Sequence, residues 1–403
     1  MRVLVVGAGG REHALAWKLS SSTSLTELHA APGNPGIAAV ATCHPVAPDD
    51  GEALLALATS LGIELVVIGP EAPLVDGVAD LLRQAGIPVF GPSAEAARIE
   101  GSKRFAKDVM AAAGVPTAAL LEKPRVPCVL KADGLAAGKG VVVCRTENEL
   151  EEGLVTVRAF GDEFVVEELL DGPEVSILAV CDGARALALP PARDFKRAYD
   201  GDTGPNTGGM GSFAPVADVD VDRLVADSVE PILAELARRG SPFVGTLFVG
   251  VMLTSDGPRV LEYNCRFGDP ETQSVLPLVG GDLLAVLAAA ASGSLEGLSL
   301  EPSGKSAVTV VLTAGDYPAA GDRGAPIEGI ENAEALGALV FHSGTALRDG
   351  RVVTNGGRLL CVTAAAESLS AARDRAYAAA DAIRIPGARR REDVALAAVG
   401  GCD

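Results

Sequence analysis

The run Leu261-Glu262-Tyr263-Asn264-Cys265-Arg266-Phe267-Gly268-Asp269-Pro270-Glu271-Thr272 carries the strongest chemical signal in the chain. Residues two apart on a strand share a face, so Glu262 and Asn264 point the same way. A carboxylate beside an amide oxygen suits Mg²⁺, which takes hard oxygen ligands and keeps substrate phosphates in its shell. Arg266 continues the alternation and can grip a phosphate or carboxylate through two N–H groups. The rival reading is a surface strand with alternating polar residues. The density of unusual residue types weighs against it.

Other candidates are weaker taken singly. Lys131 ends an apolar run, where a buried lysine needs an anionic partner. Glu167 and Glu168 close another such run; neighbours on a strand face opposite ways, so one can enter a cleft while the other is solvated. The loop Gly134–Gly140 contains Lys139 but is no Walker A loop. Its glycine spacing is one residue short, Gly140 stands where Ser or Thr is required, and strands flank it on both sides. It reads either as a flap whose N–H groups and lysine cover phosphates or as a plain flexible hairpin. Gly7-Ala8-Gly9-Gly10-Arg11-Glu12 follows a strand and opens a helix, a place suited to phosphate. A dinucleotide fingerprint fits poorly, because Glu12 takes the third glycine's place and no acid ends the second strand. A monophosphate site, with Arg11 adding charge, fits better. Residues 201–211 hold five glycines in eleven positions, preceded by Asp194, Lys196 and Arg197. So costly a loop usually has a function.

These residues need a frame. Val3–Val6 leads through glycines into a helix near Arg11, Leu65–Ile68 ends at Gly69-Pro70, and Val89-Phe90 ends at Gly91-Pro92. That alternation predicts βαβ units and a parallel sheet over residues 1–100. A helix is expected over Ser102–Ala113, with Gly114 as its stop. Runs at Val126–Lys131, Val141–Cys144, Phe164–Glu168 and Val175–Val180 predict an antiparallel sheet, a lid of about 115–180 inside a unit spanning 101–298. A helix over 218–239 and strands near 244–253 and 259–263 complete that unit. The tail, 302–395, predicts a small α+β module with a strand at Ala307–Leu312, hairpin turns at Asp349-Gly350 and Asn355-Gly356-Gly357, and a helix over 367–384. No catalytic pattern stands out in the tail.

Composition narrows the function classes. Thirty-four basic residues face 53 acidic ones, a formal net charge of −19. A nucleic-acid or anionic-membrane surface needs a basic field, so both are excluded as partners, whereas a small anion held by local Lys and Arg is not. The seven cysteines form no C-x-x-C pair, as expected of reduced thiols in a cytoplasmic chain. Arg11 and Glu12 come too early for a signal peptide, and no apolar run approaches the ~18 residues of a membrane span.

With these motifs in view, the chain resembles the glycinamide ribonucleotide synthetases (phosphoribosylamine–glycine ligases) of the ATP-grasp superfamily. The resemblance rests on VVGAGGREHALAW at 5–17, APGNPG at 31–36, GPEAPLVDG at 69–77 and GSKRFAKD at 101–108. It continues through KADGLAAGKGV at 131–141, EELLDGPEVS at 167–176, DTGPNTGGMG at 202–211, EYNCRFGDPETQ at 262–273 and VTNGGRLLCV at 353–362. It implies an N-terminal Rossmann-like α/β domain, a central ATP-grasp domain with an antiparallel lid, and a small C-terminal α+β domain.

The resemblance also implies ATP-dependent joining of glycine to 5-phosphoribosylamine, with Mg²⁺ or Mn²⁺, by a chain expected to act as a monomer. It puts Lys103, Lys131 and Lys139 near the phosphates, with Gly138 and Gly140 of the flap. Glu167, Leu170, Glu174 and Met252 would line the adenosine pocket, and Glu262 with Asn264 would hold the metal. For the ribose phosphate it implies Gly9, Gly10, Arg11, Glu12, Asn34 and Glu71; for glycine, Asp194, Asn206, Gly208, Gly209 and Arg266. Arg266, Lys139 and Asp269 are the catalytic candidates. Phe195 departs from the family pattern, which has histidine there. A different ATP-grasp ligase, a nucleotide sensor and an NAD-dependent oxidoreductase are the rivals; the 202–211 and 266–273 motifs, the retained lysines and Glu12 respectively speak against them.

Overall fold

Short β-branched runs bounded by Gly and Pro become strands because such side chains pack on a pleated surface and the boundaries break it. In the computed structural model, which describes residues 1–136 and 139–401, the first of them, Arg2–Gly7, lies at the centre of a five-stranded parallel sheet. Glu27–Pro32 and then Thr42–Cys43 lie to one side, and Leu65–Ile68 and Val89–Phe90 to the other. The order reverses at the first strand, and at such a switch point the strand ends open a crevice. Gly9, Asn34 and Glu71 all follow strands that end there.

The expected helix after residue 101 is Lys103–Ala113, capped by the Ser102 hydroxyl, which accepts from the Phe105 N–H, and stopped by left-handed Gly114. Cys128–Ala132, Val141–Cys144 and Phe164–Glu168 form a three-stranded antiparallel lid sheet. Two expectations about this region are corrected. A helix, Glu147–Arg158, packs on the lid sheet with Thr146 and Glu149 as a capping box. The strand expected at 175–180 runs as Glu174–Asp182 and pairs instead with Val244–Thr254, in a four-stranded sheet with Ala186–Ala188 and Gly257–Asn264. The lid has a hydrophobic cluster of its own, built on Cys128, Leu130, Cys144, Leu150 and Val157.

The helix expected over 218–239 divides into Val221–Ser228 and Glu230–Arg238. Pro231, in the first turn of the second helix, has no N–H to continue the first.

The tail is joined to what precedes it. Ser306–Thr313 pairs with Gly211–Ala214, so the five-stranded sheet Arg193–Asp194, Gly211–Ala214, Ser306–Thr313, Arg358–Ala366 and Leu339–His342 draws strands from both sides of residue 300. The helix Leu369–Ala382 covers it. A core cluster running from Leu4 through Val249 to Val394 makes the packing continuous between these sheets. Among the described residues no helix is long and apolar enough to cross a membrane.

Candidate active site

The turn after the first strand is organised by its own side chains. Glu12, 2% exposed, reaches back so that one carboxylate oxygen accepts from the Gly9 N–H at 2.7 Å and the other from Arg11 Nε at 2.6 Å. A Cβ on Gly69 would stand 2.1 Å from the same carboxylate, so that glycine makes room for Glu12. Asn34 is equally committed: its amide donates to the carbonyls of Ala8 and His342, and its oxygen accepts from Gly36 and Ile37. The Glu12 and Asn34 side chains, both expected at the substrate, are thus bonded within the turn and brace it. Gly10 is a packing glycine, since a Cβ there would lie 2.6 Å from Ser343 Oγ and 2.8 Å from Gln273 Nε2.

Beyond the turn lies a mesh of opposite charges. Arg266 meets Glu71 at 3.2 Å and Glu100 at 3.2 Å, and Arg11 lies 3.8 Å from Glu71. Burial favours the neutral form of Glu71, but Arg266 and then Arg11 outweigh it and hold its pKa at about 2. Asp269 faces the turn from the other side. Its carboxyl is held below the ordinary range, against burial, by Arg358 at 2.7 Å and by Arg11.

Arg358 comes from the tail and donates also to the carbonyls of Gly208 and Asp269; the Tyr317 hydroxyl accepts from the Gly208 N–H at 2.9 Å. Sequence reasoning singled out neither residue and found no catalytic pattern in the tail; in the structure the tail grips the peptide of the glycine-rich segment. Gly209, at φ +104°, rests on Pro270, where a Cβ would stand 2.3 Å from Cδ.

On the face of the central sheet turned toward the lid, the register sets Glu262 beside Gly250 and Glu174 beside Met252. Tyr263, between Glu262 and Asn264, points the other way into the core and donates to the Ser228 carbonyl. Glu262 has its carboxyl held at about 2: burial opposes ionisation, and Lys103, Lys196, Lys131 and Arg266 outweigh it. The Lys103 ammonium is 4.0 Å away. The Asn264 amide makes no hydrogen bond among the described residues and is not one of their buried polar atoms left without a partner, so it keeps accessible surface. An ionised carboxylate beside an uncommitted amide is a donor set that fits a hard divalent cation. No cluster of three acids, histidines or cysteines that could bind a metal occurs among the described residues, so such an ion would need further oxygens from elsewhere.

Lys196 is bonded to Glu174 and lies 4.0 Å from Asp194. Asp194 has its pKa raised well above the ordinary value, because burial and the charges of Glu271, Glu174 and Glu262 outweigh Lys196.

Lys131 and Glu167 lie at the base of the lid. The Glu167 carboxylate is shared between Lys131 at 2.7 Å and Lys107 at 2.9 Å, and Lys107 is a residue the sequence reading did not single out. Leu170 and Met252 are half-buried at the cleft. Lys139 donates to the Pro318 carbonyl at 3.3 Å and the Asn206 amide to the Val141 carbonyl at 3.0 Å, so the flap touches both the tail and the glycine-rich segment. Gly140 closes the base of the flap through the Ala132 N–H. Gly138 lies outside the described residues.

Three family models match the chain. The N domain of phosphoribosylglycinamide synthetase covers residues 1–100, the ATP-grasp (A) domain of the same synthetase 101–272, and its C domain 307–397. The chain belongs to the phosphoribosylglycinamide synthetase family. Its curated relatives include the phosphoribosylamine–glycine ligase of Streptomyces coelicolor, 52% identical over 99% of this chain and 100% of that one. The ligase of the same name from Brucella melitensis is 48% identical over 99% of this chain and 98% of that one. The crystal structure of phosphoribosylamine–glycine ligase from Thermotoga maritima superposes with a TM-score of 0.85 at 35% identity, covering 98% of this chain and 100% of that one. A biotin carboxylase from Campylobacter jejuni, at 14% identity and TM-score 0.70 over 96% of this chain and 92% of that one, shares the fold alone.

Phe195, expected from the resemblance to be a departure, has its ring 4.9 Å from the guanidinium of Arg391. Arg391 is 1% exposed and pairs with Asp202 and with Asp393, both at 2.6 Å; Asp393 in turn accepts from the Gly201 N–H at 2.8 Å. The end of the described chain thus brackets the glycine-rich segment of this synthetase-family site.

Proposed function

We propose that this chain is a phosphoribosylamine–glycine ligase that uses ATP, glycine and 5-phosphoribosylamine and proceeds through glycyl phosphate. The observation that carries the reading is the pairing of Glu262 and Asn264 on one sheet face, ringed by Lys103, Lys131 and Lys196, beside the Arg11–Glu71–Arg266 mesh. A site for a metal–polyphosphate therefore adjoins a site for a small anion.

Glu262 and Asn264 would hold Mg²⁺, or Mn²⁺, which when bound neutralises charge on the phosphates. Lys103 and Lys131 would face the same phosphates, with Lys139 and Gly140 closing over them from the flap. Leu170, Glu174, Met252 and the backbone of Glu167 would line the adenosine. One glycine carboxylate oxygen attacks the γ-phosphorus of ATP, the bond to the β-phosphate oxygen breaks, and ADP leaves. The amine of phosphoribosylamine then attacks the acyl carbon, phosphate departs, and the amine gives up a proton as the amide forms.

Bringing two anions together is the obstacle, so fixed cations aimed at the developing charge supply most of the catalysis. An acyl phosphate hydrolyses readily, and the flap at 134–140 would exclude water. Gly9, Arg11 and Glu71 would receive the ribose phosphate end. Arg266, Asp269, Asp194, Asn206, Gly208 and Gly209 would surround glycine and its amine partner.

The test is phosphate release from ATP with Mg²⁺, glycine and freshly prepared phosphoribosylamine, each omitted in turn. Release that needs all components and yields glycinamide ribonucleotide is expected. Release that persists without glycine, or absence of release from folded protein, would sink the reading.

A further inference from the structure

Lys107, Lys131 and Glu167 form a buried group of two lysines and one glutamate, exposed 7%, 5% and 2%. The three N–H groups of the Lys107 ammonium are all spent, on Glu167 Oε1 at 2.9 Å, Thr117 Oγ1 at 2.9 Å and the Ala118 carbonyl at 2.7 Å. The Thr117 hydroxyl in turn donates to the Val260 carbonyl at 2.6 Å. Lys107 therefore has nothing to offer a ligand. Lys131 differs. Its ammonium donates to Glu167 Oε2 at 2.7 Å and to the Leu261 carbonyl at 2.8 Å, and its third N–H has no partner among the described residues. Leu261 immediately precedes Glu262, so this free donor lies at the base of the face that carries Glu262 and Asn264.

We propose that Lys107 is a positioning residue for nucleotide binding: as the fixed counter-charge of Glu167, it leaves the Lys131 ammonium free to meet a phosphate. The proposal rests on the nucleotide reading of the cleft and extends it to a residue that never touches the ligand. The argument is one of charge balance. One carboxylate between two ammonium groups leaves a net cation in a place shielded from water, and burying an unbalanced charge is costly until an anion arrives. Without Lys107, Glu167 and Lys131, already in contact at 2.7 Å, would be left as a neutral pair with no surplus positive charge. An arriving phosphate would then compete with a desolvated carboxylate for the same ammonium. With Lys107 in place, Glu167 stays paired when Lys131 turns toward the ligand.

The experiment compares calorimetric affinity for MgADP in the wild type, K107M, E167Q and K107M/E167Q, with a thermal melt of each. K107M is expected to weaken MgADP at least tenfold. K107M/E167Q, which removes the competing carboxylate as well, is expected to return to within about threefold of wild type. A residue that merely supported the fold would show its loss and rescue in the thermal melt and leave the MgADP affinity of the folded variants unchanged. KM for glycine is expected to stay unchanged in K107M while KM for ATP rises. A folded K107M that binds MgADP like wild type, or a double variant no better than K107M, overturns the proposal. Should K107M not fold, K107Q, which keeps donors for Thr117 and Ala118 without the charge, carries the same expectation and is overturned by the same result. A wild type that does not bind MgADP overturns the nucleotide reading itself.

Discussion

Glu71 illustrates how single residues in this cleft have their charge settled by neighbours. Its pKa of about 2 lies below the about 4.3 of an unfolded glutamate, so the folded state binds fewer protons between those values. The stability that follows is complete above the unfolded value and is lost as the pH falls from about 4.3 toward 2. E71Q is expected to cost on the order of 2 kcal/mol at pH 7 and almost nothing near pH 2, read from urea unfolding at the two pH values. A gap of equal size at both would assign the cost to packing. Which residues could be read from sequence follows from the range of their partners. That Glu262 and Asn264 share a face was legible because alternation along one strand is a local property. The internal bonds of Glu12, Asn34 and Glu167 were not, because the type of a carboxylate or amide does not say which groups its oxygens will meet. Lys107, Arg358 and Tyr317 escaped for the same reason, since each acts on a segment far from it in sequence.

Among elements, the lid is the most self-contained, with its own apolar cluster and a helix fastened by Thr146 and Glu149. T146A removes the acceptor for the Glu149 N–H and is expected to cost about 1 kcal/mol. The loss would fall on the lid alone, as faster hydrogen exchange across 147–158 while the central strands at 174–182 and 244–254 keep their protection. Uniform acceleration over the whole chain would count against a locally opening lid. The T-x-x-E signature of this helix was present in the sequence, but Gly153 and the β-branched Val155, Thr156 and Val157 blurred its helical period. For Val175–Val180 the strand itself was legible and its neighbour was not. Alternation and β-branching reveal an extended segment, but which sheet receives it is decided by pairing with Val244–Thr254, a long-range contact.

At the scale of the whole molecule, the shared sheet makes the tail part of the site. A chain ending at residue 301 would bare the edge of Gly211–Ala214 where Ser306–Thr313 now pairs, and would lose Tyr317 and Arg358. An exposed edge beside a stripped apolar face is an aggregation template. The fragment 1–301 is expected in the insoluble fraction on expression, and a soluble, monodisperse fragment in size-exclusion chromatography would refute this. The three-part layout was legible because each part has its own periodicity, whereas the strand exchange between parts was hidden, since Gly211–Ala214 is too short to announce a partner. The bracket made by Arg391 and Asp393 has a further consequence for how the protein comes into being. The loop at 200–202 takes its hydrogen bonds from residues at the far end of the chain. A nascent polypeptide lacks them until residue 393 has cleared the ribosome, so the ordering of this loop arises as a late step of synthesis and does not accrue with chain length.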